Sequence, residues 1–320
     1  MHVEAYTRAA KSLWDNFVRR SKNGTFLFLR DYMEYHAERF VDSSLLVFED
    51  DGALLAILPA NRVETLVSSH AGLTYGGFVT GDEMKLPKML RVFETTVDYL
   101  RQNGITEFLY KTIPFIYHRA PAEEDRYALF IHNAQLTRRS AVSVLYCSAP
   151  LAMQERRKRS ARKAEQSGVI VKESEDWKGY WDLLSGRLLE SHKSAPIHTF
   201  EEIFLLQQRF PEHVRLFVAS QHDIMVGGVV IYETDAVVRA QYIAANDAGR
   251  RLGAIDLIFT ELLRDIYSSK LYFDFGTSDQ QGGSGLNSGL IDQKEGYGAR
   301  TVAHDCYLIR ISNSGEFVET

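Results

Sequence analysis

The sequence has only two cysteines in 320 residues, Cys147 and Cys306. A disulfide framework or a cysteine-built zinc site needs more, so no metal is expected and a reduced, cytoplasmic setting is the natural expectation. Long apolar runs are missing too. The stretch 225–232 is one of the longest, far short of the about 20 residues that a membrane-crossing helix requires, so no membrane insertion is expected. The opening MHVEA carries an early acid and no apolar signal core. There is no basic excess either. With 37 Lys+Arg against 42 Asp+Glu the net charge is -5, which argues against generic nucleic-acid binding. No low-complexity linker interrupts the chain. What is present is 45% hydrophobic and 25% charged residues, enough apolar material for a real core, in a length that suits two domains or two similar halves.

The two halves share one rhythm. In the first, SLLVFEDDGALLAILPA reads as strand, turn, strand with Asp51-Gly52 in the turn. A helix follows over 86–103, with Pro87 in its first turn and Gly104 at its C-terminal cap, and then a strand over 106–111. In the second, VRLFVASQHDIMVGGVVIYE is again strand, turn, strand, and VVRAQYIAAND adds a third. A helix over 253–268 has Ile255, Ile258, Leu262 and Ile266 at helical spacing, and a strand over 270–275 closes the unit. The fold class is therefore mixed α/β (α+β, mixed sheets). It is a tandem repeat of an antiparallel meander, a helix and a strand, divided into 1–149 and 150–320. QERRKRSARKAEQSGV, after the boundary, is a basic helix ending at Gly168 and reads chiefly as a solvated face. Two more helices precede the second meander. One carries Trp177, Tyr180, Trp181, Leu184 and Leu188 on its apolar face, and the other opens with a Thr199–Glu202 capping box. SHKSAPIHT lies between them, an irregular segment suited to substrate contacts.

The triplet Asp274-Phe275-Gly276 is the metal-binding triplet of protein kinases. No His-Arg-Asp occurs anywhere, and the Gly-rich stretch QQGGSGLNSGL follows the triplet rather than preceding it. The order of parts excludes a kinase. A different arrangement surrounds NDAGRRLGA. A strand enters a turn with glycines and arginines and then a helix, which presents backbone N–H groups, a helix dipole and guanidinium groups to an anion such as a pyrophosphate.

A meander followed by GRRLGA, a helix and a strand resembles the GCN5-related N-acetyltransferase (GNAT) superfamily, although Ala254 stands one place early for the superfamily's Arg/Gln-x-x-Gly-x-Gly/Ala pattern. The stretch 272–300 resembles the Fem-type branch, built of tandem GNAT-like halves, in Asp274, Gly276, Ser278, Gly289, Lys294 and Gly298. GLTYGGF and KTIPFIYHRAPAEEDRYALF in the first half are similar too. In length, and in the SHKSAPIHT and DFGTS regions, the chain is most similar to bacterial nucleotide-sugar N-acyltransferases that act on a dTDP-linked 3-amino-3,6-dideoxyhexose for surface polysaccharide (O-antigen, lipopolysaccharide).

The resemblance implies acyl-CoA as co-substrate, with no permanently bound cofactor, and a nucleotide-linked amino sugar as acceptor. It implies that the strands over 239–246 and 270–275 splay, with the pantetheine between them and the pyrophosphate on the turn. It places Ile243, Ala245, Gly249, Arg250, Arg251, Gly253 and Ala254 at the CoA and Asp274 at the cleft mouth beside the thioester. Amine acylation needs a base, an oxyanion site and an acid for the thiolate. Asp274 is the first candidate for base and His198 its rival. Tyr297 or Tyr307 is the acid, and His192, Ser278 and Lys294 are substrate-binding candidates. Lacking arginines before its helix, the first half is expected to support the acceptor side. Two alternatives remain open: a Fem-type aminoacyl-tRNA-dependent transferase acting on a peptidoglycan precursor, which the absence of a long heptad arm disfavours, and a non-catalytic binding protein of the same fold. A homo-oligomer is also left open.

Overall fold

The hairpin around Asp51-Gly52 forms because Gly52 takes φ +86°, a left-handed conformation that side chains resist. It joins strands Leu45–Phe48 and Leu54–Leu58. The computed structural model describes residues 1–280 and 285–312, without the side chains of Ser191 and His192. The chain divides at Ser140/Ala141. Residues 1–140 and 303–320 make one unit, and 141–302 the other. The units thus divide several residues before the expected boundary near Pro150, and most of the C-terminal strand belongs to the first unit. Two long strands, Gln135–Tyr146 and Arg300–Arg310, went unread in the sequence. Arginines and threonine crowd the exposed start of one, and the other alternates polar and apolar residues only loosely.

In the first unit, strands His2–Ala5, Leu45–Phe48, Leu54–Leu58 and Val79–Thr80 form one sheet. A second ladder pairs the end of Arg300–Arg310 with Glu107–Lys111, which runs parallel to Leu66–Ser68. Helix Leu86–Gln102 starts with proline in its first turn and buries Val92, Phe93, Val97 and Leu100 in the core.

In the second unit, Val169–Glu173, Val214–Gln221, Ile224–Glu233 and Val237–Ala245 make an antiparallel meander. Tyr272–Thr277 then joins parallel to Val237–Ala245. The last residues of Gln135–Tyr146 pair antiparallel with Tyr272–Thr277. The helix expected over 253–268 forms, but the stretch before it, expected as a turn, is itself helical. Asp247–Leu252 is a short helix, Gly253 caps it at φ +89°, and Ala254–Glu261 follows before a π-helical turn over Leu262–Ile266. A Cβ on Gly253 would lie 2.3 Å from Ser160 Oγ and 2.6 Å from the Ser160 carbonyl oxygen, so both conformation and space demand glycine. Phe259 packs edge-on against Phe273 and Phe275, which ties this helix to the sheet. The Thr199–Glu202 capping box forms as read, opening helix Phe200–Arg209. The basic helix runs Glu155–Gln166, and Gly168 follows it at φ +76°.

Candidate active site

The parallel strands Val237–Ala245 and Tyr272–Thr277 are in register at Val237–Tyr272, Val238–Phe273 and Arg239–Asp274. There the pairing ends, while the first strand continues to Ala245. Its register against Ile224–Glu233 shifts between Tyr242 and Ala240, leaving Gln241 as the extra residue of a bulge that bends the strand. The two strands are thus arms of a wedge, closed at Asp274 and open toward Ala245. The last paired step is locked. Arg239 Nη1 donates to Asp274 Oδ2 at 2.6 Å, and the Gly276 N–H donates to Asp274 Oδ1 at 2.6 Å. Gly276 leaves the strand at φ +75°.

At the opening lies a cavity of about 590 Å³. Ile243, Ala244, Ala245 and Phe275 supply apolar walls, and Gly249, Arg250 and Gly253 stand at the turn. Asn246 caps the short helix, its side-chain oxygen accepting from the Gly249 N–H at 2.9 Å. The N–H of Arg250 donates to the Asn246 carbonyl, and that of Gly253 to the Gly249 carbonyl. These turn amides are therefore committed within the chain. The cations at the cavity are side chains. Arg250 is exposed and only loosely paired with Asp247 at 3.5 Å, and Arg187 stands 3.6 Å from Glu190.

The structure sorts the expected residues. Ile243, Ala245, Gly249, Arg250, Gly253, Lys294 and Tyr297 line the cavity. Arg251 is exposed and does not line it, its carbonyl accepting from Lys163 Nζ, and Ala254 is fully buried in the core. The expectation that Asp274 stands at the cleft mouth is corrected. Its exposure is 0%, it does not line the cavity, and both its oxygens are engaged at the closed end of the wedge. His198 is buried as well, its Nδ1 within 2.5 Å of Tyr242 Oη, and it does not reach the cavity. Burial pushes the Tyr242 phenol up to about 12. Ser278 is sealed, with its N–H on the Ala141 carbonyl and its carbonyl accepting from Asn287. The side chain of His192 lies outside the described residues. Tyr307 belongs to the first unit and donates to Asp305 at 3.2 Å.

Lys294 spends its donors on the carbonyls of Gly276 and Thr277, at 3.0 and 2.6 Å. It therefore buttresses the end of the second arm. Burial brings its ammonium down to about 8, against a smaller upward pull from Asp274. The Tyr297 hydroxyl donates to Asp256 Oδ1 at 2.6 Å, and burial holds the phenol well above its usual range, so it stays protonated.

Asp256 itself was missed in the sequence. It sits in the first turn of Ala254–Glu261, among apolar residues and outside any motif. Arg157, on the basic helix read as solvated, turns inward. Its Nη1 lies 3.2 Å from Asp256 Oδ1 and its guanidinium carbon 5.4 Å from the Tyr297 ring centre. Asp256, Arg157 and Tyr297 thus form a charged, hydrogen-bonded cluster in the cavity wall. The only available signal was the i, i+1 placement of Arg156 and Arg157, which puts one of them on the inner face.

Residues 153–281 match the family described as "Acetyltransferase (GNAT) domain". This part of the chain is similar to GNAT acetyltransferase domains. The chain as a whole shares its fold with FemX, at 12% identity over 98% of each chain and a TM-score of 0.68. It is similar likewise to L-PGS from Bacillus licheniformis (12% identity, 95% of this chain and 92% of that one, TM-score 0.61). A tandem GNAT protein from the clavulanic acid biosynthesis pathway is a third such structure (8% identity, 97% and 98%, TM-score 0.52). No curated protein sequence matches the chain. No helix among the described residues is long and apolar enough to cross a membrane.

Proposed function

We propose that the chain is an N-acyltransferase that seats acyl-CoA in the wedge and acylates the amino group of a nucleotide-linked amino sugar. The observation that carries the donor half is strand pairing that stops at Arg239–Asp274, with a cavity of about 590 Å³ at the opening. That volume falls within the ~300–1,000 Å³ typical of ligand sites. The apolar arms suit a pantetheine chain. The Gly249, Arg250 and Gly253 amides already bond within the chain, so the Arg250 side chain is the first group assigned to the phosphates. The amino-sugar acceptor is supported by the sequence similarity in SHKSAPIHT and DFGTS.

Acid–base work falls to the cavity cluster rather than to Asp274. The acceptor ammonium loses one proton to solvent. The amine then attacks the thioester carbon, the C–N bond forms and the C–S bond breaks. The second nitrogen proton passes to Asp256, and Tyr297 gives its own proton to the departing thiolate and recovers one from Asp256. Arg157 Nη1 holds Asp256 Oδ1 at 3.2 Å and so positions it.

Calorimetry with CoA and acetyl-CoA tests the donor, with Arg250→Ala expected to weaken binding about tenfold, the loss of one charged contact. Thiol release with a panel of nucleotide amino sugars tests the acceptor. Full affinity for CoA in a variant whose wedge is filled by Ala245→Trp would refute the seating. The shared fold with FemX supports a second reading, Fem-type transfer from aminoacyl-tRNA to a peptidoglycan precursor. Absence of CoA binding together with aminoacyl transfer would select it.

A further inference from the structure

The first unit contains a polar pocket of about 320 Å³. Arg30 is its centrepiece. It is buried, pairs with Asp42 and with Glu34 Oε1 at 3.0 Å, donates to Ser44 Oγ at 3.3 Å, and lies 3.7 Å from the Tyr6 ring centre. Two of the polar atoms at the pocket, Tyr6 Oη and His70 Nδ1, are buried and have no hydrogen-bond partner among the described residues. Native proteins rarely leave such atoms unpaired, and each exception calls for a cause. His70 is also strained. It holds φ +58°, fixed by its N–H on the Ser68 carbonyl and by the Leu73 N–H on its own carbonyl. Non-glycine residues adopt this region at a cost, and such strain gathers at functional sites. Burial, with His36 and Lys111 nearby, lowers the His70 imidazole to about 3, so it is a neutral hydrogen-bonding group at any ordinary pH.

The geometry points to a binding site for one hydroxylated ring, a monosaccharide-sized polyol. The volume sits at the lower end for ligand pockets and admits a single ring, not a nucleotide. Asp42 and Glu34 balance the pocket's two arginines, Arg30 and Arg8, which favours a neutral ligand over a polyanion. Met33, Ala37 and Phe40 offer an apolar surface to ring C–H groups. Tyr6, His70, Glu34 and Asp42 offer donors and acceptors to the hydroxyls. The inference stands apart from acyl transfer and does not need it.

Saturation-transfer NMR on the full chain tests it, with D-glucose and D-glucosamine as probes and inorganic phosphate as the counter-probe. Transfer to hexose ring protons is expected. It should weaken about three- to tenfold in Tyr6→Phe, which removes one hydroxyl, and in His70→Asn, which keeps a residue tolerant of the left-handed backbone. Both variants should melt as the parent does. If His70→Asn unfolds, Tyr6→Phe alone decides. No transfer from either hexose, transfer unchanged in the variants, or binding of phosphate alone would overturn the assignment. CoA binding, read separately, would be untouched by any of these results.

Discussion

Asp274→Asn separates a latch from a base. Asp274 is fully buried, and its partner Arg239 has a side chain 17% exposed. The amide keeps an oxygen for the Gly276 N–H but leaves the guanidinium facing a neutral group in a low-dielectric strand pair. Removing one partner of a buried pair costs about 3–5 kcal/mol, and the retained Gly276 hydrogen bond puts this case near the lower end, about 3 kcal/mol. At about 2–4 °C per kcal/mol for a unit of this size, that is a fall of roughly 6–12 °C in the melting of the second unit. Scanning calorimetry reads it. Arg239→Gln in the same chain should restore part of the loss, because no buried charge is then stranded. Acyl transfer, normalised to folded protein, should fall far less than in Asp256→Asn. A melt within about a degree of the parent, combined with abolished turnover, would refute the latch and return Asp274 to the chemistry.

The remaining predictions follow from the same packing. Burial lowers Lys294 to about 8 while the unfolded lysine titrates near 10.5, so the unfolded state binds more protons between those values and stability must rise with pH across pH 8–10.5; Lys294→Met should remove that slope, of up to about 3 kcal/mol, in urea melts taken from pH 7.5 to 10.5. Asp125, buried beside Tyr110 at 2.7 Å, is pushed up to about 6, so the folded state binds more protons and stability falls as pH rises from about 4 to 6; Asp125→Asn should flatten this part of the curve. Thr199→Ala, which breaks the capping box, should cost about 1 kcal/mol by chemical denaturation. Gly253→Ala meets both the left-handed backbone and Ser160, and should cost about 1–3 kcal/mol and weaken CoA binding at the displaced turn.

Much of the scaffold was legible because it is written in local chemistry. The Asp51-Gly52 turn, the Pro87 start, the Thr199 capping box and the Gly168 stop each depend on a few neighbouring residues, and each stands where it was read. The wedge was what the resemblance to the GNAT superfamily implied. The short helix Asp247–Leu252 was not legible, because its glycine and arginines read as a turn. Nor was the inward turn of Arg157, since a run of basic residues looks solvated until an acid such as Asp256 is brought opposite one of them.

By itself the sequence determined that the chain is a tandem α/β protein, that its second half presents a strand pair and an arginine-bearing turn, and that an acyltransferase fold suits that order. Only the tertiary structure decided which carboxylate lines the cavity and which is locked at the closed end of the wedge. Asp274 and Asp256 are both acids among apolar neighbours in sequence. Register places one on the last paired step, neutralised by Arg239, and helix packing places the other in the cavity wall, against a tyrosine hydroxyl and a half-covered arginine. The role of a charged group depends on its partners and its distance from solvent, and for these two residues neither is a local property of the chain.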